Sequence, residues 1–252
     1  MAESKAEAAD RLARAVAEVR ALRAADLAHP ARREATLALK RWQSGRLART
    51  YDDLLASARH GDAARFFFED LYGPKDFSKR DADVARILPK LRALLPAAAL
   101  STIADALELD CLSEELDQAL VASAATAIID ADGYAAAYRA SGNRAGRERQ
   151  ITLMRGIGNA LDGLTRIPML ETSVKLMRGP ARLAGMAELQ NFLERGFVTF
   201  RKMNGAREFL DIVQARETRL MERLFGGIAD PFAGVGPPAE GQSRITLAVR
   251  GC

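Results

Sequence analysis

Apolar residues recur along most of the chain at spacings of three and four, which is the pattern of amphipathic helices. The period is clearest in residues 79–95, and Pro, Gly and Asn-Gly breaks divide the chain into successive segments of this kind. Strand patterns are not evident, and Val, Ile and Thr are sparse. The sequence therefore predicts an all-α protein, a multi-helix bundle of about nine helices.

Breaks in the pattern predict where individual helices end. Pro96 begins a helix that ends near Leu109, and Ser113 caps a separate helix that runs to about residue 129. Pro180 begins another long helix, because proline is well placed at the first helical position. A short helix over residues 132–140 is predicted to end at Gly142.

Composition along the chain predicts three segments. Residues 1–29 form a polar, alanine-rich N-terminal helical arm, which ends at a His-Pro pair. Residues 30–226 form one all-helical domain. Residues 227–252 are rich in Gly, Pro, Ala and Ser and are predicted to be a flexible C-terminal tail.

The aromatic stretch RFFFEDLYGPKDFSKRD, residues 65–81, is the feature around which the helices are organised. Three adjacent phenylalanines cover about 200° of a helix surface, so a helix over residues 62–72 is predicted to be contacted on several sides. Gly73-Pro74 ends it, and Ser78 with Asp81 resembles a capping box. The block is a candidate cluster, structural or functional, whose members are Phe67, Phe68, Asp70, Tyr72, Asp76, Arg80 and Asp81.

Charge and cysteine content restrict the class of protein. The net charge is +4 and the isoelectric point is about 9.3, but the arginines are spread over nearly all helices instead of forming one basic patch. Two cysteines offer no disulfide framework and fit a reducing cytoplasm. The first residues do not resemble a signal peptide, and the apolar runs are too short to span a bilayer. These features predict a cytoplasmic protein without a membrane partner.

Residues with catalytic or ligand-binding potential do not form a recognisable motif. The two histidines lie beside helix-breaking residues, so no metal or haem site is predicted. The stretch RGIGNALDG lacks the Gly-Lys-Ser/Thr of a phosphate loop. Its glycines indicate close contacts between helices, with a flat ligand bound against them as the alternative. The acidic pair Asp52-Asp53 lacks a DDxxD pattern, so no catalytic residue and no cofactor is predicted, and enzyme activity is not indicated.

Three stretches resemble an uncharacterised all-helical family of bacterial proteins. They are FFFEDLYGPKDFSKRD, LSEELD and ELQNFLERGFVTFRKMNGAREFLDIVQARE. The resemblance covers roughly residues 45–225, and the FFxxDLYGPxDFSxRD block is its most specific part. It implies a helical fold and no activity.

Three hypotheses for the function follow from these features. The first is a helical protein-interaction or regulatory module that acts through a protein partner or through self-association. The alternative is an enzyme or carrier that holds a small apolar or tetrapyrrole ligand between helices. A third, weaker hypothesis is nucleic-acid binding through arginine-rich helix faces.

Overall fold

The computed structural model describes residues 3–71, 85–89, 92–93, 95–124, 130–183 and 187–236. All regular structure within these ranges is helical, which confirms the all-α prediction. The α-helices with defined ends are α1 Lys5–Leu27, α2 Pro30–Thr50, α3 Asp52–Ala56, α4 Gly61–Arg65, α5 Ala97–Ser123, α6 Ala131–Ser141, α7 Arg144–Thr165, α8 Leu170–Leu176, α9 Arg178–Leu183, α10 Ala187–Met203 and α11 Arg207–Phe225, and a π-helix spans Phe66–Leu71.

Helix α5 is the central element of the bundle, since α1, α2, α6 and α7 all pack against it. Its 27 residues are continuous, so the predicted division between Leu109 and Ser113 is wrong. The Ser113 hydroxyl donates to the Leu109 carbonyl at 2.7 Å, one turn earlier, instead of capping a new helix. Burial of Cys111 and Leu116 on either side of it favours continuing the helix through this point.

The first helix lies along α5. Leu12, Val16 and Val19 of α1 are buried in one cluster with Leu100 and Leu107 of α5. Alanines fill the remaining contacts, which lets the two helix axes approach closely. Leu12, Val16 and Val19 therefore form the face by which α1 packs onto the bundle, while the assignment of residues 1–29 as a separate arm stays a prediction.

Tyr51 and Pro180 mark two further helix boundaries in the structure. Tyr51, with φ −124°, separates α2 from α3. Pro180 is the third residue of α9, so this helix begins two residues before the predicted start, and in the first turn the missing N–H of proline costs no hydrogen bond. Residues 184–186, between α9 and α10, lie outside the described residues, so the predicted length of the helix stays a prediction.

Other predicted ends are confirmed. Helix α6 ends at Gly142, whose φ of 63° is the left-handed conformation typical of a helix C-terminus. The break between α10 and α11 lies at Asn204 and Gly205, both with positive φ. The Asp130 carboxylate caps α6 by accepting from the Gly133 N–H at 2.8 Å.

The segment after α11 packs back on the bundle. Val235 is buried in a cluster with residues of α2, α6 and α11, and Phe232 packs against the same cluster. The packing therefore continues to residue 236, the last residue that the structure describes. The rest of the predicted flexible tail, residues 237–252, lies outside the described residues.

Candidate functional site

The three adjacent phenylalanines lie in the π-helix, and each contacts a different neighbour. Phe66 lies 5.3 Å from Phe192, Phe67 lies 6.0 Å from Phe209, and Phe68 stacks on Tyr51 at 4.8 Å between ring centroids. All three are buried, as the sequence predicted. The α-helix predicted over residues 62–72 is instead the short α-helix α4 followed by the π-helix Phe66–Leu71.

The other members of the predicted cluster are only partly visible. Asp70 belongs to the backbone of the π-helix, but its side chain lies outside the described part of the chain. Tyr72, Asp76, Arg80 and Asp81 lie outside the described residues altogether. Phe67 and Phe68 are core residues, and a functional role for the whole block stays a prediction.

Behind Phe68, a buried hydrogen-bond network joins α2 to α11. The Tyr51 hydroxyl donates to Glu217 Oε1 at 2.8 Å, and Arg46 Nη1 donates to the same oxygen at 2.6 Å. Burial raises the pKa of Tyr51 well above its usual value, so this hydroxyl keeps its proton. The network places a charged pair beside the aromatic core.

A second ion pair joins α3 to α11. Arg216 donates to both carboxylate oxygens of Asp53, each at 2.7 Å, and also to the Thr50 carbonyl at 2.9 Å. The Arg216 hydrogen bond lowers the pKa of Asp53. This geometry is the bidentate pairing for which arginine is suited. It holds α3 against α11.

A set of polar side chains from four helices meets in the interior, and we call it the polar centre. Its members are Gln43 and Arg46 of α2, Asp117 of α5, Tyr134 and Tyr138 of α6, and Arg147 of α7. Asp117 and Arg147 are 6% and 7% exposed, respectively. Asp117 Oδ1 accepts from Gln43 Nε2 at 2.9 Å, and the Arg147 guanidinium lies 4.9 Å from the Tyr138 ring centroid. Burial raises the pKa of Asp117 and of both tyrosines.

Two donors in the polar centre lack hydrogen-bond partners: Arg46 Nε and Arg147 Nη2. Buried N–H groups of this kind are rare in folded proteins, because leaving one unpaired is costly. The sequence analysis missed the centre because its members come from four separate helices. The sequence offered no specific signal for it, since Arg46 and Asp117 have other polar residues one turn away on their helices.

The exposed large hydrophobic residues are concentrated in one part of the chain, which we call the apolar face. Seven residues between 167 and 198 are 42–94% exposed, and Ile228 is the other large hydrophobic residue that is exposed in the described ranges. The members of the apolar face are Ile167, Met169, Leu176, Met177, Leu183, Leu193 and Val198. Ion pairs lie in the same part of the chain, including Lys175–Glu171 and Arg178–Glu194.

A shallow groove of about 440 Å³ runs along the outer side of α11. Arg155 lies in it and pairs with Asp211 at 2.5 Å and with Gln214. These three polar side chains satisfy each other, so their arrangement is accounted for by the packing of α7 against α11.

The remaining reactive side chains have structural environments. Burial raises the pKa of the Cys111 thiol to about 12, so it is protonated and unreactive at neutral pH. His60 is buried against Phe209, and burial lowers its pKa. Within the described ranges, no group of three or more His, Cys, Asp or Glu side chains could hold a metal ion.

Among the described residues, every helix is too short or too polar to cross a membrane.

Comparison with known proteins gives one family. Neither the curated proteins nor the solved structures contain a match to this chain. A family model matches residues 22–231, which begins inside α1 and ends in the segment that packs back after α11. The family is one of unknown function, in agreement with the sequence resemblance to an uncharacterised family. The chain belongs to the family described as Domain of unknown function (DUF8198).

Proposed function

We propose that this protein is a helical interaction module that binds a second copy of itself through the apolar face. The observation that carries this proposal is the concentration of exposed hydrophobic residues between 167 and 198. Single exposed hydrophobic residues are normal on a protein surface, whereas a concentration of them marks an interaction site.

The exposed side chains are large. Leu183 is 94% exposed, Met169 77% and Leu176 72%. A dimer that covers these side chains would bury mainly apolar surface, and a standard interface takes roughly 800 Å² from each partner. Burial of that surface supplies the main driving force for association.

The charges around the apolar face favour a second copy over other partners. Lys175 and Arg201 both pair with Glu171, and Arg178 pairs with Glu194. A two-fold interface brings the same surface together twice, so a rim with both signs is complementary to itself. A nucleic-acid surface would instead be expected to show a field of unpaired positive charge.

The test is to replace Leu176 and Leu183 together by glutamate and to measure mass by sedimentation equilibrium over a wide range of protein concentration. We expect the wild-type chain to dimerise as its concentration rises. The double variant should stay monomeric, because four buried carboxylates per dimer would have to lose water without partners. Both positions are highly exposed, so the melting temperature of the monomer should change little.

Ile228→Glu is the matched control, since Ile228 is 47% exposed but lies outside the apolar face. We expect this variant to dimerise like the wild type. A wild-type chain that stays monomeric at high micromolar concentration contradicts self-association. A double variant that dimerises as well as the wild type shows that another surface is used.

A further inference from the structure

Arg147 is a buried cation without a carboxylate in contact. Its Nη1 donates to the Gln150 amide oxygen at 3.0 Å, and its other face covers the Tyr138 ring. Among the described residues, no Asp or Glu oxygen lies within 4.0 Å of it. A buried charge without a counter-ion is strongly unfavourable, so an anion is required nearby.

A second guanidinium shares this environment. The charges of Arg46 and Arg147 both act on the Tyr134 and Tyr138 hydroxyls, opposing the rise in pKa that burial causes. Arg46 Nη1 donates a hydrogen bond to Glu217. Arg46 Nε and Arg147 Nη2 have no hydrogen-bond partner. Each of the two guanidinium groups therefore has one N–H without a partner, and Glu217, which lies outside the polar centre, already pairs with Arg46.

Asp117 is the remaining acid that could balance Arg147. Burial is the main effect on this carboxyl group and raises its pKa, while Lys40 and Arg147 oppose the rise. Its Oδ1 is already occupied by the Gln43 amide. Asp117 is therefore a weak counter-ion, and in its protonated form it offers a further O–H donor to the polar centre.

We propose that the polar centre binds one small anion, either a halide or the carboxylate group of a small acid, through Arg147 Nη2. Guanidinium N–H groups suit such anions because they are charged, planar donors that are less strongly hydrated than an ammonium group. Tyr134 and Tyr138 are 3% and 5% exposed, so the surroundings of Arg147 are closed to solvent and we expect a small anion to be preferred over a bulky one. The proposal is independent of the apolar face.

The test measures melting temperature at constant ionic strength while sodium gluconate, whose anion is too large for the site, is replaced by sodium chloride or by sodium formate. We expect a saturable rise of a few degrees for the wild type, as binding to the folded state requires. If chloride alone raises the melting temperature, the site binds a halide. If formate raises the melting temperature more than chloride does, the site binds a carboxylate group.

Two variants on α7 separate the site from general salt effects. Arg147→Met removes the charge but keeps an aliphatic side chain, and it should abolish the rise. Arg149→Met should leave the rise unchanged, because the Arg149 side chain is 65% exposed on the same helix. A rise of equal size in all three proteins overturns the proposal.

Asp117→Asn distinguishes an external anion from an internal counter-ion. Asparagine resembles the protonated acid, so this variant should keep the anion dependence of the wild type. If Asp117 itself balances Arg147, the wild type will show no dependence on the anion and Asp117→Asn will acquire one. That result would overturn the proposal. Isothermal titration of the wild type and of Arg147→Met with formate gives an independent measure of binding.

Discussion

Two glycines on α7, two residues apart, have opposite surroundings. A Cβ atom at Gly158 would lie 2.4 Å from Leu210 Cδ2, and Leu210 is buried at 1% exposure. A Cβ atom at Gly156 would have no neighbour within 4 Å. The predicted close contact between helices is therefore confirmed at Gly158, where α7 meets α11, but not at Gly156.

This difference predicts opposite effects of alanine at the two positions. Gly158→Ala should lower the free energy of unfolding by about 1–3 kcal/mol, because the new methyl group overpacks the contact with Leu210. Gly156→Ala should raise it by about 0.5–1 kcal/mol, since alanine has the higher helix propensity and nothing obstructs it. Urea unfolding of the two variants measures both values. Stabilisation by both substitutions would show that α7 and α11 are not in close contact.

The short helix α3 depends on contacts outside itself. Five residues are too few for a stable isolated helix, because nucleation is costly. Asp53 anchors it to α11 through both hydrogen bonds from Arg216, and Leu54 is buried beneath it. At the scale of the element, tertiary contacts and not propensity hold α3 in place.

The Asp53–Arg216 pair predicts a pH dependence of stability. The folded-state pKa of Asp53 is lowered, so its contribution is complete above the unfolded pKa of about 3.9 and is lost as pH falls through the folded pKa. Asp53→Asn should cost about 1 kcal/mol at neutral pH, a value reduced by the partial exposure of the pair. The difference between variant and wild type should shrink as pH falls below about 4 and disappear once the pH is below the folded pKa of Asp53.

A double-mutant cycle tests whether this effect arises from the pair. In an Arg216→Met background, Asp53→Asn should have almost no effect on the free energy of unfolding at neutral pH. The same loss in both backgrounds would mean that Asp53 acts through its position in the first turn of α3 instead.

The end of the described chain completes the bundle at the scale of the whole molecule. Arg223 donates to the Asp230 and Pro231 carbonyls at 2.6 and 2.9 Å, which turns the chain back along α11. Phe232 then lies 5.7 Å from Trp42, and Val235 is 1% exposed. This segment covers the aromatic side chains of α2 and α6.

Two truncations test the contribution of this segment. A chain that ends at residue 236 should unfold at the same temperature as the full chain, as the flexible-tail prediction for the remaining residues implies. A chain that ends at residue 227 should lose about 2–4 kcal/mol, because it exposes the surface that Val235 and Phe232 bury. Calorimetry measures both. Equal melting temperatures for the two truncated chains would contradict this packing.

The sequence by itself determined the helical class, the burial of Phe66, Phe67 and Phe68, and several helix ends. These features depend on residues that are neighbours in sequence: the apolar period of three and four, adjacent aromatic residues, and the positive φ that glycine adopts at Gly142. A local pattern predicts which side of a helix is apolar, and this information was sufficient to predict these features.

Only the tertiary structure decided which faces meet, and with them the candidate sites. Helix α5 continues past Ser113 because neighbours buried on both sides favour it, although the local signal favoured a cap. The polar centre is formed by side chains more than 100 residues apart in sequence, such as Gln43 and Arg147. The apolar face contains residues with the same hydrophobic character as the core, and no helix among the described residues covers them. Periodicity specifies that a side chain is apolar, but its burial depends on whether another helix packs against it.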